Sequence, residues 1–137
     1  SLNTSVIEEV GLKTPVEEVI TNMKSALSID VQFEFDSFLE DTLSYEQKLT
    51  AYRIVQDHTN NIVRHSKAGK AIIALHGNEE QLVLRIQDDG VGFDMDKTGR
   101  GLGLINIRNR VEAHNGSLHI ETSPSNGCVL EVIIPIK

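Results

Sequence analysis

The sequence predicts an α+β two-layer sandwich, a mixed and mostly antiparallel sheet with three helices packed on one face. Three observations lead there. Stretches with apolar residues at helical spacing alternate with stretches of period two, in the order α, β, α, β, β, α, β, β. Two pairs of neighbouring strands are joined by short segments rich in turn-forming residues, the mark of antiparallel hairpins. The 137 residues suffice for a single domain spanning 1–137, large enough to bury about two-thirds of its unfolded surface.

Taken in order, Thr14 before Pro15, with Glu17 three residues after Thr14, reads as an N-cap, a first-turn proline and a capping-box acid. Val16, Val19, Ile20, Met23 and Leu27 follow at helical spacing, so a helix is expected over 15–27. Val31, Phe33 and Phe35 alternate with Gln32, Glu34 and Asp36, the pattern of a half-buried strand. A short acidic linker comes next. Ser44 and Gln47 then open a longer helix with a second capping box. Along it, Leu49, Tyr52, Val55, Thr59, Ile62 and Ser66 form one stripe, and Arg53, Asp57, Asn61, Arg64 and His65 another. Strands are expected over 70–76 and 81–87 around the turn His76-Gly77-Asn78-Glu79. Residues 89–101, rich in Gly, Asp and Lys, read as a loop, and a third helix over 103–114 stops at Asn115-Gly116. The last strands, 117–122 and 128–135, flank Ser123-Pro124-Ser125-Asn126-Gly127. No internal repeat, low-complexity tract or interdomain linker interrupts this order.

Composition narrows the function. A formal net charge of -7 lacks the basic footprint of a nucleic-acid binder. No apolar run approaches the roughly 18 residues that span a bilayer, and no signal peptide opens the chain, so no direct membrane contact is expected. The single cysteine, Cys128, excludes an internal disulfide and fits a reducing, cytoplasmic setting. No spacing of Cys and His suggests a zinc cluster.

Three segments carry candidate chemistry. Positions four apart share a helix face, so Asp57, Asn61 and His65 align with Arg64 beside them. The Asn61 carboxamide oxygen is a reasonable ligand for Mg²⁺, which keeps several waters and takes its other ligands from phosphate. Asp57 could orient a water or a nucleophile, and Arg64 and His65 could meet phosphates or a sugar; a solvated polar stripe is the plainer reading. Asp88 ends an apolar strand, where a buried carboxylate can accept a hydrogen bond from an adenine amine, while Gly90 and Gly92 let the backbone approach closely. An ordinary Asp-Gly turn fits the same residues. Gly99-Arg100-Gly101-Leu102-Gly103-Leu104 ends in a helix start, where free amides and the helix dipole favour anions, with Lys97 and Arg100 adding local positive charge. It is neither a Gly-Lys-Ser/Thr phosphate loop nor a dinucleotide fingerprint, and a flexible linker is its alternative. In this order the three segments describe a pocket that can hold magnesium, read a purine and cradle phosphates.

The set resembles the ATP-binding catalytic domain of bacterial two-component sensor histidine kinases, in the GHKL superfamily shared with DNA gyrase, mismatch-repair ATPases and heat-shock chaperones. Tyr52 to Ser66 is similar to that family's N box, in the version of kinases that pair with helix-turn-helix response regulators. Asp88 to Gly92 resembles the first glycine box, Gly99 to Leu104 the second, and Gly127 to Pro135 the closing strand. The likeness covers about residues 12–136 and implies a Bergerat-type ATP-binding fold. It implies Asn61 as Mg²⁺ ligand and, with Asp57, as catalytic machinery. It also implies Asp88 as the adenine reader, Gly90 and Gly92 beside the base, and Gly101, Leu102, Gly103 and Leu104 at the phosphates under a lid of residues 94–100. Arg64, His65, Lys97, Arg100 and Cys128 complete the expected nucleotide contacts. The implied partners are ATP, histidine-bearing dimerisation helices of the same or a partner kinase, and a downstream response regulator, with the isolated domain a monomer.

The sequence departs from that pattern in places. Asp57 stands where Glu is usual, His58 where a small apolar residue is common, and Cys128 where Thr is usual; the lid is short and no phenylalanine box is evident. No histidine precedes His58 and no long helical hairpin precedes residue 14, so the phosphoacceptor and sensor domains are expected on other segments. The expected activity is transfer of the γ-phosphoryl of Mg-ATP to a histidine. An anti-sigma-type serine kinase and a nucleotide-binding regulatory module without turnover are the alternatives.

Overall fold

The computed structural model describes residues 5–92 and 103–136. Five strands form one sheet: β1 (Asp30–Phe35), β2 (Lys70–Gly77), β3 (Gln81–Asp88), β4 (Ser117–Thr122) and β5 (Cys128–Pro135). Their spatial order is β1-β2-β3-β5-β4, with β1 parallel to β2 and every other pair antiparallel. The helices are α1 (Ser5–Val10), α2 (Lys13–Ala26), α3 (Leu39–Thr42), α4 (Tyr45–Asn61) and α5 (Leu104–Ala113), and α4 runs on into a π-helical turn, Ile62–Ser66. The expected mixed sandwich is present.

Period-two burial assigns the faces of the sheet. Leu82, Leu84 and Ile86 of β3 and Leu130, Val132 and Ile134 of β5 are fully buried, whereas Arg85 and Gln87 are exposed. The buried face meets Ile54 and Val55 of α4, Ile107 and Val111 of α5, and Val16 and Met23 of α2 in one core. Each such side chain contributes about 1.5–3 kcal/mol of apolar burial. Asp88 falls in phase with this buried set, so the pleat turns a carboxylate toward the helical layer.

Helix ends show where local chemistry decides and where it does not. Ser44 accepts from the Gln47 N–H at 3.1 Å and Gln47 Oε1 accepts from the Ser44 N–H at 2.8 Å, the reciprocal box expected at α4. The start of α2 differs from expectation: it begins at Lys13, and Thr14 lies inside it without capping. The Glu40 carboxylate accepts from the Leu12 and Lys13 N–H groups instead, at 2.8 and 3.2 Å. Glu40 comes from α3, a one-turn helix where an acidic linker was expected, anchored by the fully buried Leu39. The short α1, with Ile7 in the core, was also not expected. At the end of α5, Asn115 takes a left-handed conformation (φ 58°). Its N–H reaches Glu112 O at 3.0 Å and the Gly116 N–H reaches Val111 O at 2.9 Å, closing a Schellman motif.

Candidate functional site

The end of the sheet where the inner strand β3 finishes and the inner strand β5 begins meets the C-terminal half of α4. There His58, Asn61, Ile62, His65, Ser66, Asp88, Gly92 and Cys128 line one pocket. Asp88 and Cys128 are register partners across β3 and β5, so their positions are set by the sheet. Asp88 is 6% exposed, and its Oδ1 accepts from the Gly90 N–H at 2.8 Å. Burial pushes its carboxyl pKa up; the Gly90 N–H opposes this, and neighbouring Asp89 adds to it. Asp89 points elsewhere, accepting from the Gly69 and Lys70 N–H groups at 2.9 Å each.

The Cys128 thiol is pushed up to about 12, first by burial and then by the Asp88 charge, against a hydrogen bond with Thr122. His58 faces inward from α4, 2% exposed. Neither of its ring nitrogens has a hydrogen-bond partner among the described residues. Burial holds its pKa at about 4, so the ring is neutral at physiological pH. Ligand-type atoms of His58, Asp88 and Cys128 all lie within 4.8 Å of one another.

The π turn shapes the opposite wall. Its wider winding presents both His65 and Ser66 to the pocket, where α-helical spacing assigned Ser66 to the apolar stripe. Ser66 Oγ donates to Ile62 O at 2.9 Å and accepts from the Ala68 N–H at 3.0 Å, while Ser66 O accepts from the Val91 N–H at 2.6 Å. The first glycine box is therefore laid directly on the end of the turn. A Cβ at Gly90 would collide with the Ser66 carbonyl, and one at Gly92 (φ 64°) with the Ser123 carbonyl.

Asn61 Nδ2 is buried without a partner among the described residues. Its Oδ1 lies 3.8 Å from where a Cβ on Gly103 would sit. Gly103, left-handed at φ 74°, is the N-cap of α5, and Leu104 is buried behind it. The N box thus faces the helix start that ends the second glycine box. An uncommitted carboxamide beside a helix N-terminus suits a hard cation shared with phosphate oxygens.

The other expected residues divide. Asp57 turns to α5, where Arg110 Nε lies 3.2 Å from its Oδ2, and it does not line the pocket. Arg64 is exposed and also outside the lining, while His65 is exposed at the pocket edge. Lys97, Arg100, Gly101, Leu102 and the 94–100 lid lie outside the described residues. His58 and Ser66 were not expected in the pocket. A histidine one turn before Asn61 was the available signal for the first; nothing local signals a π turn.

The sequence model of the family described as histidine kinase-, DNA gyrase B-, and HSP90-like ATPase matches residues 46–137. The chain belongs to this family. Within the ATPase family it is 30% identical to the sensor histidine kinase ComP of Bacillus subtilis, over 98% of this chain and 18% of that protein. It is 31% identical to the sensor protein VraS of Staphylococcus saprophyticus, over 96% of this chain and 37% of that protein. The chain thus spans well under half the length of these relatives. The fold superposes on the histidine kinase AdeS of Acinetobacter baumannii with a TM-score of 0.72 at 18% identity, covering 98% of this chain and 74% of that one. It also superposes on the catalytic domain of histidine kinase ThkA with a TM-score of 0.67 at 20% identity, covering 90% and 91%. Among the described residues no helix is long and apolar enough to cross a membrane.

Proposed function

We propose that this domain binds Mg-ATP and passes its γ-phosphoryl group to a histidine on dimerisation helices of the same or a partner kinase, upstream of a response regulator. The observation carrying this reading is one pocket lined by both Asp88 and Asn61, with the Asn61 carboxamide oxygen beside Gly103 at the start of α5. Asp88 accepts a hydrogen bond from the purine amine, its other side fixed by Gly90. Gly90 and Gly92 keep side chains off the base. Asn61 would supply an oxygen ligand for Mg²⁺. An ion held there would offset phosphate charge. The Leu104 and Ile105 N–H groups at the start of α5 receive phosphate oxygens, and the family resemblance assigns Lys97, Arg100, Gly101 and Leu102, outside the described residues, to the same phosphates. Catalysis on this reading is positioning and charge neutralisation. His65 borders the sugar or phosphates, and Arg64 reaches them from the rim.

A module without turnover is the second reading. It is favoured by the Asp57 carboxylate, which is engaged by Arg110 rather than turned to the pocket. Mixing the domain with labelled ATP, Mg²⁺ and the helical region of its own kinase separates the readings. Acid-labile phosphate on that region is expected. Acid-stable phosphate would indicate a serine kinase, and no transfer the silent module.

A further inference from the structure

Two residues that depart from the family pattern, His58 and Cys128, meet at Asp88. They come from different elements, α4 and β5, and are 70 residues apart in sequence. All three are buried, and their nitrogen, oxygen and sulfur atoms lie within 4.8 Å of one another. In a tetrahedral site with bonds of about 2.0–2.3 Å, ligand atoms sit roughly 3.5 Å apart. Small side-chain rotations about a common centre close the difference, because Asp88 and Cys128 are already held opposite each other in the sheet.

We propose that His58, Asp88 and Cys128 form a site for one zinc-class divalent ion, and that an ion bound there excludes the purine by occupying Asp88. The His58 ring points to a ligand at this position. Both of its ring nitrogens are buried without partners among the described residues. A buried polar atom left unpaired costs about 1–3 kcal/mol. A hydrogen bond to Asp88 alone satisfies one nitrogen and leaves the other unpaired. Thiolate and carboxylate together carry two negative charges, which a divalent ion offsets in a site with little water. One sulfur and one imidazole nitrogen favour zinc or cobalt over magnesium, whose proposed ligand Asn61 offers oxygen instead. On binding, the Cys128 S–H bond breaks, its proton goes to solvent and the sulfur pair forms the metal bond, with no change of oxidation state. A water fills the fourth position.

The metal site stands on this geometry; only its effect on ATP rests on the proposed role of Asp88. The test begins with chelator-stripped domain titrated with Co²⁺. One ion per chain is expected, with thiolate-to-cobalt charge-transfer absorption that Zn²⁺ abolishes by displacement. The absorption should vanish in Cys128→Thr, and Co²⁺ affinity should fall at least about tenfold in His58→Leu, as loss of one ligand predicts. Thermal melts check both folds, and Cys128→Thr carries the test if His58→Leu fails to fold. A fluorescent ATP analogue with Mg²⁺ is then titrated with and without Zn²⁺. Zn²⁺ at ten times its own Kd should weaken the analogue about tenfold in wild type. In each variant, measured against that variant's own metal-free affinity, the weakening should be about twofold or less. Absence of thiolate absorption in wild type, or its survival in Cys128→Thr, overturns the site. Metal binding with unchanged analogue affinity overturns the exclusion. A chelated domain that binds cobalt normally but never the analogue would instead sink the ATP reading and keep the metal site.

Discussion

Replacing Asp88 by Asn changes one oxygen to an NH₂ group at the floor of the pocket. The Asn carbonyl can still accept from the Gly90 N–H, now 2.8 Å from Oδ1, so the turn into the first glycine box is retained. What changes is the atom presented to the base. A carboxylate accepts from the adenine amine, whereas the Asn NH₂ opposes donor to donor. Hydrogen bonds to a charged group contribute about 1.5–3 kcal/mol, or roughly 10- to 150-fold in Kd. Loss of ATP affinity in that range is expected. GTP, whose base offers a carbonyl there, should lose less or gain, so the preference for ATP narrows. The same substitution raises stability at neutral pH. The folded Asp88 pKa lies above the usual 3.8, so wild type loses stability as pH rises from below 3.8 through the folded pKa. The Asn variant lacks that loss, and its advantage should shrink as pH falls toward the carboxylate range. The assay is competition of ATP and GTP against a fluorescent nucleotide, paired with melts across pH. An ATP affinity within about twofold of wild type, with the ATP/GTP ratio unmoved, would refute the assignment of Asp88.

Asn61→Ala should lose at least about tenfold in Mg²⁺-dependent nucleotide affinity while melting like wild type, since Nδ2 makes no described bond; equal affinity with and without Mg²⁺ in both proteins would count against the ligand role. His58, held at about 4 against an ordinary 6.5, costs stability as pH falls from 6.5 toward 4, because the unfolded chain takes up the proton first. The full effect is about 3 kcal/mol. His58→Leu should flatten that limb in urea titrations at about pH 7 and about pH 4.5, and an unchanged slope would show that the ring is not buried neutral. Glu40→Ala removes the acceptor for the Leu12 and Lys13 N–H groups and should cost about 1–2 kcal/mol; a melting temperature equal to wild type would mean that α2 is capped in another way.

Features written within a few residues of chain were the legible ones. The Ser44–Gln47 box, the Asn78 turn and the strands over 81–87 and 128–135 each rest on local sequence, and each appears as read. The start of α2 was misread because its cap is supplied from 28 residues away, by Glu40, and Thr14-Pro15 matched the local signature without performing it. Asp57 shares its helix with Asn61, but its partner, Arg110, is 53 residues on, and spacing within one helix carries no information about that choice. The unusual His58 and Cys128 were visible singly. Their meeting depends on the Asp88–Cys128 register, which only the folded sheet supplies.

The π turn Ile62–Ser66 acts as a phase shifter in the middle of the site. Deleting any one of its residues would let the segment rewind as ordinary α-helix, turning everything beyond it by about 100° about the axis. Ser66 would swing away, Val91 would lose the carbonyl it docks on, and the glycine-rich segment would have no seat. A pocket wall assembled this way tolerates many exchanges of side chain but not the loss of a single peptide unit.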